Sequence, residues 1–90
     1  MVKNFEKLVL LCNEELIHRE YKTDYCIKIR EEWNKLRHWL QNKKITEFSE
    51  ELGKEYCDET FGTHLMLKHP TPKLKIRFRA IRMLISYQNA

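Results

Sequence analysis

The chain has 90 residues, 42% of them hydrophobic and 33% charged, enough for one modest core, so we expect a single domain over residues 1–90. Two glycines and two prolines are too few for a β-sandwich or barrel. The net charge of +4 is mild, no apolar run reaches the length of a membrane span, and no secretory leader opens the chain. Three cysteines, an odd count within helix-like segments, favour a reducing, cytoplasmic setting without membrane association.

Two amphipathic segments open the chain and predict helices over residues 2–19 and 22–42. Apolar residues recur in both at helical spacing, and the second segment, the longer one, carries both tryptophans. The predicted buried residues are Phe5, Leu8, Val9, Cys12, Leu16, Tyr25, Ile29, Trp33, Leu36, Trp39 and Leu40.

A third helix is predicted over residues 47–60, with Thr46 as its N-cap and Phe61–Gly62 as its stop. Its predicted buried side consists of Phe48, Leu52 and Tyr56. Gly53, in the middle, either costs about 1 kcal/mol relative to alanine or marks a close helix crossing.

A fourth helix is predicted over residues 72–88, with Pro72 at or before its first turn. Its core stripe is predicted to be Leu74, Phe78, Ile81 and Ile85. A second apolar stripe, on the other side, consists of Ile76, Ala80, Met83 and Tyr87. Apolar residues on two sides indicate either a wide core face or a surface that meets a partner. The four segments together predict an all-α, four-helix bundle.

Charge is strongly segregated along the chain. Residues 73–90 carry five basic side chains and no acidic one, whereas residues 45–62 carry six acids and one lysine. A clustered basic face is typical of nucleic-acid binding. The densest basic stripe of the fourth segment is Lys75, Arg79 and Arg82. The second segment adds Lys22, Lys28, Arg30, Lys35 and Arg37 to the same positive field.

No motif predicts catalysis, a cofactor or a metal site. Cys57, His64 and His69 do not have the spacing of a zinc site. The chain has no glycine-rich phosphate loop, no nucleophile elbow and no recognisable Cys–His pair. We therefore expect a binding domain and not an enzyme. A helical protein-interaction module using Ile76, Met83 and Tyr87 is the alternative.

Several motifs occur along the chain in an order that carries a family resemblance. They are ELIHREY at 15–21, then Trp33, Leu36, Trp39 and Leu40, then ITEF at 45–48 with Gly53 and Phe61–Gly62, and RAIRML at 79–84 with Tyr87 and Gln88. In this order they resemble the N-terminal, SAM-like core-binding domain of phage integrases and other tyrosine recombinases.

The resemblance implies a four-helix SAM-like domain that clamps one side of a recombination core site in double-stranded DNA. Cleavage in this family belongs to a separate C-terminal domain, so the chain would be a fragment that binds DNA and cuts nothing. Its partners would be the DNA of a mobile element and other recombinase protomers.

Family DNA contacts come mainly from the second and fourth helices. The matching positions here are Tyr25, Ile27, Lys28, Lys73, Ile76, Arg77 and Ala80. The basic residues Lys22, Lys75 and Arg79 complete the predicted DNA-binding set on grounds of charge. The sequence departs from the family pattern at Tyr25, where threonine is usual, and at Ile29, where tyrosine is usual.

Overall fold

The computed structural model describes residues 2–60, 62, 68 and 71–89, and this part of the chain contains four helices. They are α1 (Phe5–His18), α2 (Thr23–Asn42), α3 (Glu50–Thr60) and α4 (Pro72–Asn89). The predicted all-α class and the number of helices are confirmed. None of these helices combines the length and apolar character needed to cross a membrane.

Side-chain caps set the start of three helices. Asn4 Oδ1 accepts from the Lys7 amide at 3.0 Å, and Thr71 Oγ1 accepts from the Leu74 amide at 3.2 Å, which leaves Pro72 in the first turn of α4 as predicted. Ser49 Oγ accepts from the Leu52 amide at 3.2 Å, so α3 begins at Glu50. The predicted cap at Thr46 and the start at residue 47 are therefore wrong.

Backbone pairing explains why α1 and α3 both begin later than predicted. The Phe5 amide donates to the Thr46 carbonyl at 3.0 Å, and the Phe48 amide donates to the Lys3 carbonyl at 2.7 Å. The residues just before α1 and those just before α3 thus form an isolated antiparallel bridge between Asn4 and Glu47 in place of further helical turns. The side-chain amide of Gln88 joins both paired segments to the end of α4. Its Nε2 donates to the carbonyls of Val2 at 2.9 Å and Phe48 at 2.7 Å.

The predicted stop at Gly62 is confirmed by its backbone. Gly62 has φ 68°, and its amide donates to the Cys57 carbonyl at 2.8 Å, the bond of a helix that ends in a left-handed residue. Phe61 lies outside the described residues.

The core is formed where α4 packs against the other three helices. Trp33 is the largest fully buried side chain of this core, to which every helix contributes residues. The predicted α1 and α2 core is confirmed except that Val9, Tyr25 and Trp39 are only partly buried. Leu52 of α3 is also partly buried.

The core face of α4 differs from the predicted stripe. Its buried residues are Ala80, Ile81, Leu84 and Gln88, whereas Leu74, Phe78 and Ile85 are only partly buried. Trp33 Nε1 donates to the Ala80 carbonyl at 2.9 Å, which brings α2 close to α4 at a small residue. Because of this approach, the side of α4 that carries Ala80 and Leu84 is turned inward.

Gly53 marks a close crossing of α3 and α4, one of the two predicted alternatives. A Cβ atom at this position would lie 3.0 Å from Phe48 Cζ, 3.1 Å from Ile85 Cδ1 and 3.3 Å from Ile81 Cγ2. The absence of a side chain lets α3 approach α4.

Candidate nucleic-acid interface

Helices α2 and α4 lie side by side, joined by polar contacts between residues 25–33 of α2 and residues 77–80 of α4. Arg79 Nη1 donates to the Tyr25 hydroxyl at 3.4 Å, and Arg77 Nε donates to Glu32 Oε1 at 2.6 Å. Together with the Trp33–Ala80 bond, these contacts fix the register of the two helices. Both helices that the resemblance assigns to DNA therefore contribute to one continuous surface.

The buried carboxylate of Glu32 connects α2 to α4 and to α3. Glu32 is 1% exposed, and it accepts from Arg77 and, at 2.5 Å, from the Tyr56 hydroxyl of α3. Removal from water raises the pKa of Tyr56, and the adjacent carboxylate raises it further. The bond to Glu32 also raises the pKa of Arg77. Three helices thus meet at one ion pair.

Two predicted DNA contacts point into the protein. Ala80 has no exposed surface, so its side chain is not accessible to a ligand in this fold. Arg77 directs its guanidinium to Glu32, which neutralises much of its charge. Ala80 thus belongs to the core face of α4, whereas Arg77 is partly exposed and its guanidinium is bound to Glu32.

The remaining predicted contacts on α2 and α4 are exposed or partly exposed. Lys28 is exposed and lies one turn from both Tyr25 and Glu32, the two α2 residues that touch α4. On α4, Ile76 is partly buried and lies one turn from both Lys73 and Arg79. We call Lys28, Lys73 and Ile76 the seam. It is the outer boundary between α2 and α4.

Lys22 is exposed at the N-cap of α2, and Lys75 and Arg79 are exposed on α4. Ile27 is also exposed, but it lies on the side of α2 away from α4, because it follows Tyr25 by only two residues. Tyr25 and Arg79 therefore touch each other, Lys22 lies one turn before Tyr25, and Lys28, Lys73 and Ile76 form the seam. Lys75 lies two residues after Lys73 and so on the other side of α4, and Ile27 lies apart on α2.

The basic residues of α2 lie on more than one side of the helix. Arg30 Nε donates to Asn13 Oδ1 at 2.6 Å, and Arg37 binds Glu6 with two bonds, at 2.7 and 2.9 Å. Both partners are on α1, so these arginines lie on the α1 side of α2. The other basic residues of α2, Lys22, Lys28 and Lys35, are exposed and add to the charge of the α4 cations.

An open groove of about 800 Å³ adjoins this surface on the other side of α4. It lies between the C-terminal half of α1, the residues that join α1 to α2, and the outer face of α4. We call it the basic groove. Its lining includes Arg19, Lys75, Arg79, Arg82, Tyr21, Tyr25 and Tyr87. The basic stripe read from the sequence thus forms one wall of a depression.

Sequence reasoning did not assign Arg19, Tyr21 or Tyr87 to a nucleic-acid site. The groove wall that holds Arg19 and Tyr21 exists because the chain turns at Glu20, whose φ is 55°. A non-glycine residue in this conformation gives no clear signal in a sequence. The four-residue spacing of Tyr21 and Tyr25 was a detectable hint, since their rings lie 5.1 Å apart.

The acidic side chains of α3 are exposed, as a solvated charged face requires. They are Glu50, Glu51, Glu55, Asp58 and Glu59. Glu59 accepts from Trp39 Nε1 of α2 at 2.6 Å. This acidic helix repels a polyanion.

The described cysteines and histidines give no sign of a metal centre. No group of three or more potential ligands comes together among the described residues, and His64 and His69 lie outside them. Burial raises the pKa of the Cys12 and Cys57 thiols to about 12, so both are protonated at neutral pH.

Comparison with known proteins adds no relative. No protein-family model, curated protein or solved structure matches this chain.

Proposed function

We propose that this domain binds double-stranded DNA through α2 and α4, in the manner of the core-binding domain of a tyrosine recombinase. The observation that carries the proposal is the side-by-side packing of these helices, which together carry five exposed cations. These are Lys22, Lys28, Lys73, Lys75 and Arg79. None of them forms an ion pair with another described residue.

Duplex DNA fits this surface better than an acidic protein of arbitrary shape. The cations follow two adjacent helices, and partly buried Ile76 lies among those of α4. Phosphates bind such cations and fix the register, while groove contacts from side chains such as Lys28 and Ile76 supply selectivity. The proposal assigns binding alone to this chain and cleavage to a separate catalytic domain of the parent recombinase.

Several positions that carry the family resemblance are core residues in the structure. Trp33, Leu36, Leu40, Ile81 and Leu84 are resemblance positions and buried core residues. Such positions specify packing and carry little information about the ligand. The family assignment therefore remains a proposal, which DNA binding would strengthen.

The alternative, a protein-interaction module, is less well supported by the arrangement of its residues. Met83 and Tyr87 line the basic groove, whereas Ile76 belongs to the seam and packs against the core. The three side chains thus belong to two different surfaces. Concentration-dependent self-association through α4 would favour this alternative.

Duplex binding, measured by fluorescence anisotropy at several salt concentrations, tests the proposal. The key variant is Lys73→Gln with Lys75→Gln, which removes two charges from the first turn of α4. The matched control, Lys3→Gln with Lys7→Gln, removes two charges at the other end of the molecule, where Val2 meets Gln88. We expect the first pair alone to weaken binding. Equal effects from both pairs would contradict the proposal.

A further inference from the structure

The basic groove has a chemistry that differs from that of the seam. Its walls combine four cationic side chains with three tyrosines. The one carboxylate among the lining residues, Glu15, accepts from Arg19 Nε at 2.5 Å, and this pair leaves Lys75, Arg79 and Arg82 to set the charge of the groove. The groove therefore attracts anions, and its volume lies within the range of about 300–1,000 Å³ typical of ligand sites.

The tyrosines offer exposed aromatic surface to a ligand. Tyr21 is 40% exposed and Tyr87 is 38% exposed. The rings of Tyr21 and Tyr25 lie 5.1 Å apart with their planes at 41°, and the Tyr25 hydroxyl accepts from Arg79. An aromatic pair is thus held next to a guanidinium at one end of the groove.

Binding sites for single-stranded nucleic acid have two components. Cations follow the phosphate backbone, and aromatic rings stack on the bases. A duplex can use the cations, but its base faces are stacked inside the helix and cannot reach the tyrosines. An acidic polypeptide can also use the cations, yet it has no flat face that requires aromatic partners. The combination fits unpaired nucleotides better than either.

We propose that the basic groove binds unpaired nucleotides of single-stranded DNA, with a base on Tyr21 and phosphates on Arg79 and Arg82. This inference extends the proposed nucleic-acid function and rests on it for the class of ligand. It places a second site beside the duplex surface, with Tyr25 and Arg79 at the boundary between the two.

The test compares three probes in anisotropy titrations: a short oligo(dT), an abasic oligomer of equal charge, and a duplex. The groove variant is Tyr21→Leu, with Tyr21→Phe as the conservative version and Lys28→Gln as the control on the seam. We expect Tyr21→Leu to weaken oligo(dT) binding by about tenfold and duplex binding by less than about twofold. Tyr21→Phe should retain both affinities, and Lys28→Gln should weaken duplex binding more than oligo(dT) binding.

Equal binding of oligo(dT) and the abasic oligomer by the unmodified protein would overturn the inference, because no base would then be recognised. Competition by poly-glutamate as effective as that of oligo(dT) would also overturn it and indicate an acidic protein partner. Binding of oligo(dT) but not of the duplex by the unmodified protein would instead overturn the proposed duplex function. Far-UV circular dichroism of each variant verifies that it is folded.

Discussion

Glu32 is the residue whose role departs most from what its position in the sequence indicates. It lies in a helix rich in charged residues, where a glutamate is ordinarily solvated. Here it is buried and accepts from Arg77 and Tyr56, so three helices converge on one carboxylate. Periodicity could not reveal this contact, because the partners are 45 and 24 positions away.

Replacing Arg77 with methionine should destabilise the fold far more than it changes DNA affinity. The variant keeps a long side chain but leaves the Glu32 carboxylate buried with only the Tyr56 hydroxyl. Loss of one partner of a buried pair costs about 3–5 kcal/mol, and the partial exposure of Arg77 argues for the lower end. Urea denaturation measures the loss.

Lys73→Met is the matched control for Arg77→Met, since it removes an exposed charge from the same helix. It should change stability by no more than about 0.5 kcal/mol. If both variants unfold at the same urea concentration, the Glu32–Arg77 pair does not stabilise the fold.

The buried thiols of Cys12 and Cys57 predict a loss of stability in alkali. Their folded pKa of about 12 exceeds the ordinary value of 9.0, so the unfolded chain loses these protons first as pH rises. The contribution of these thiols to the free energy of unfolding is fully present below pH 9. It decreases between pH 9 and 12, by up to about 1.4 kcal/mol for each thiol and each pH unit.

Denaturation near pH 8 and about pH 10 compares the unmodified protein with the variant Cys12→Ala, Cys57→Ala. The variant should lose less stability between the two pH values, by roughly 3 kcal/mol. Tyr56 titrates in both proteins, so its effect cancels in the comparison. An identical loss in the two proteins would contradict the assignment.

At the scale of elements, the approximate residue range of each helix could be predicted from the sequence. The rotation of each helix about its own axis, which decides the side that is buried, could not. Of the predicted α4 stripe of Leu74, Phe78, Ile81 and Ile85, Ile81 is buried, whereas the other three are only partly buried and Ala80, Leu84 and Gln88 complete the buried face. A helix that packs against three others has several apolar sides, and periodicity cannot rank them. The choice follows from Trp33, which bonds to the Ala80 carbonyl, and from Gly53, which admits α4 beside α3.

Gly53→Ala should destabilise the protein by about 1 kcal/mol, although alanine is the better helix former by a similar amount. The new methyl group would press on Phe48, Ile81 and Ile85 at once, so no single side chain can relieve the contact. Thermal or urea denaturation measures the change.

Lys54→Gly is the control for Gly53→Ala at the adjacent exposed position of α3. It should cost about 1 kcal/mol through helix propensity alone. If Gly53→Ala raises stability by the full propensity gain, the close helix crossing is not tightly packed.

At the scale of the whole molecule, charge segregation along the sequence predicted the side on which the positive field lies. The sequence could not show that Arg30, Arg37 and Arg77 have partners inside the protein. Such partners depend on which helices pack together. The predicted DNA-binding set therefore contained both exposed cations, such as Lys73 and Lys75, and inward-facing residues, such as Arg77 and Ala80.

The most direct test of the central claim is the salt dependence of duplex binding. Five phosphate contacts from the exposed cations predict a slope of log affinity against log salt near −4, as an order-of-magnitude estimate. Lys73→Gln with Lys75→Gln should make the slope shallower by about 2, whereas Lys3→Gln with Lys7→Gln should leave it unchanged. Duplex binding that does not respond to salt, or a slope that changes equally in both variants, would contradict the account.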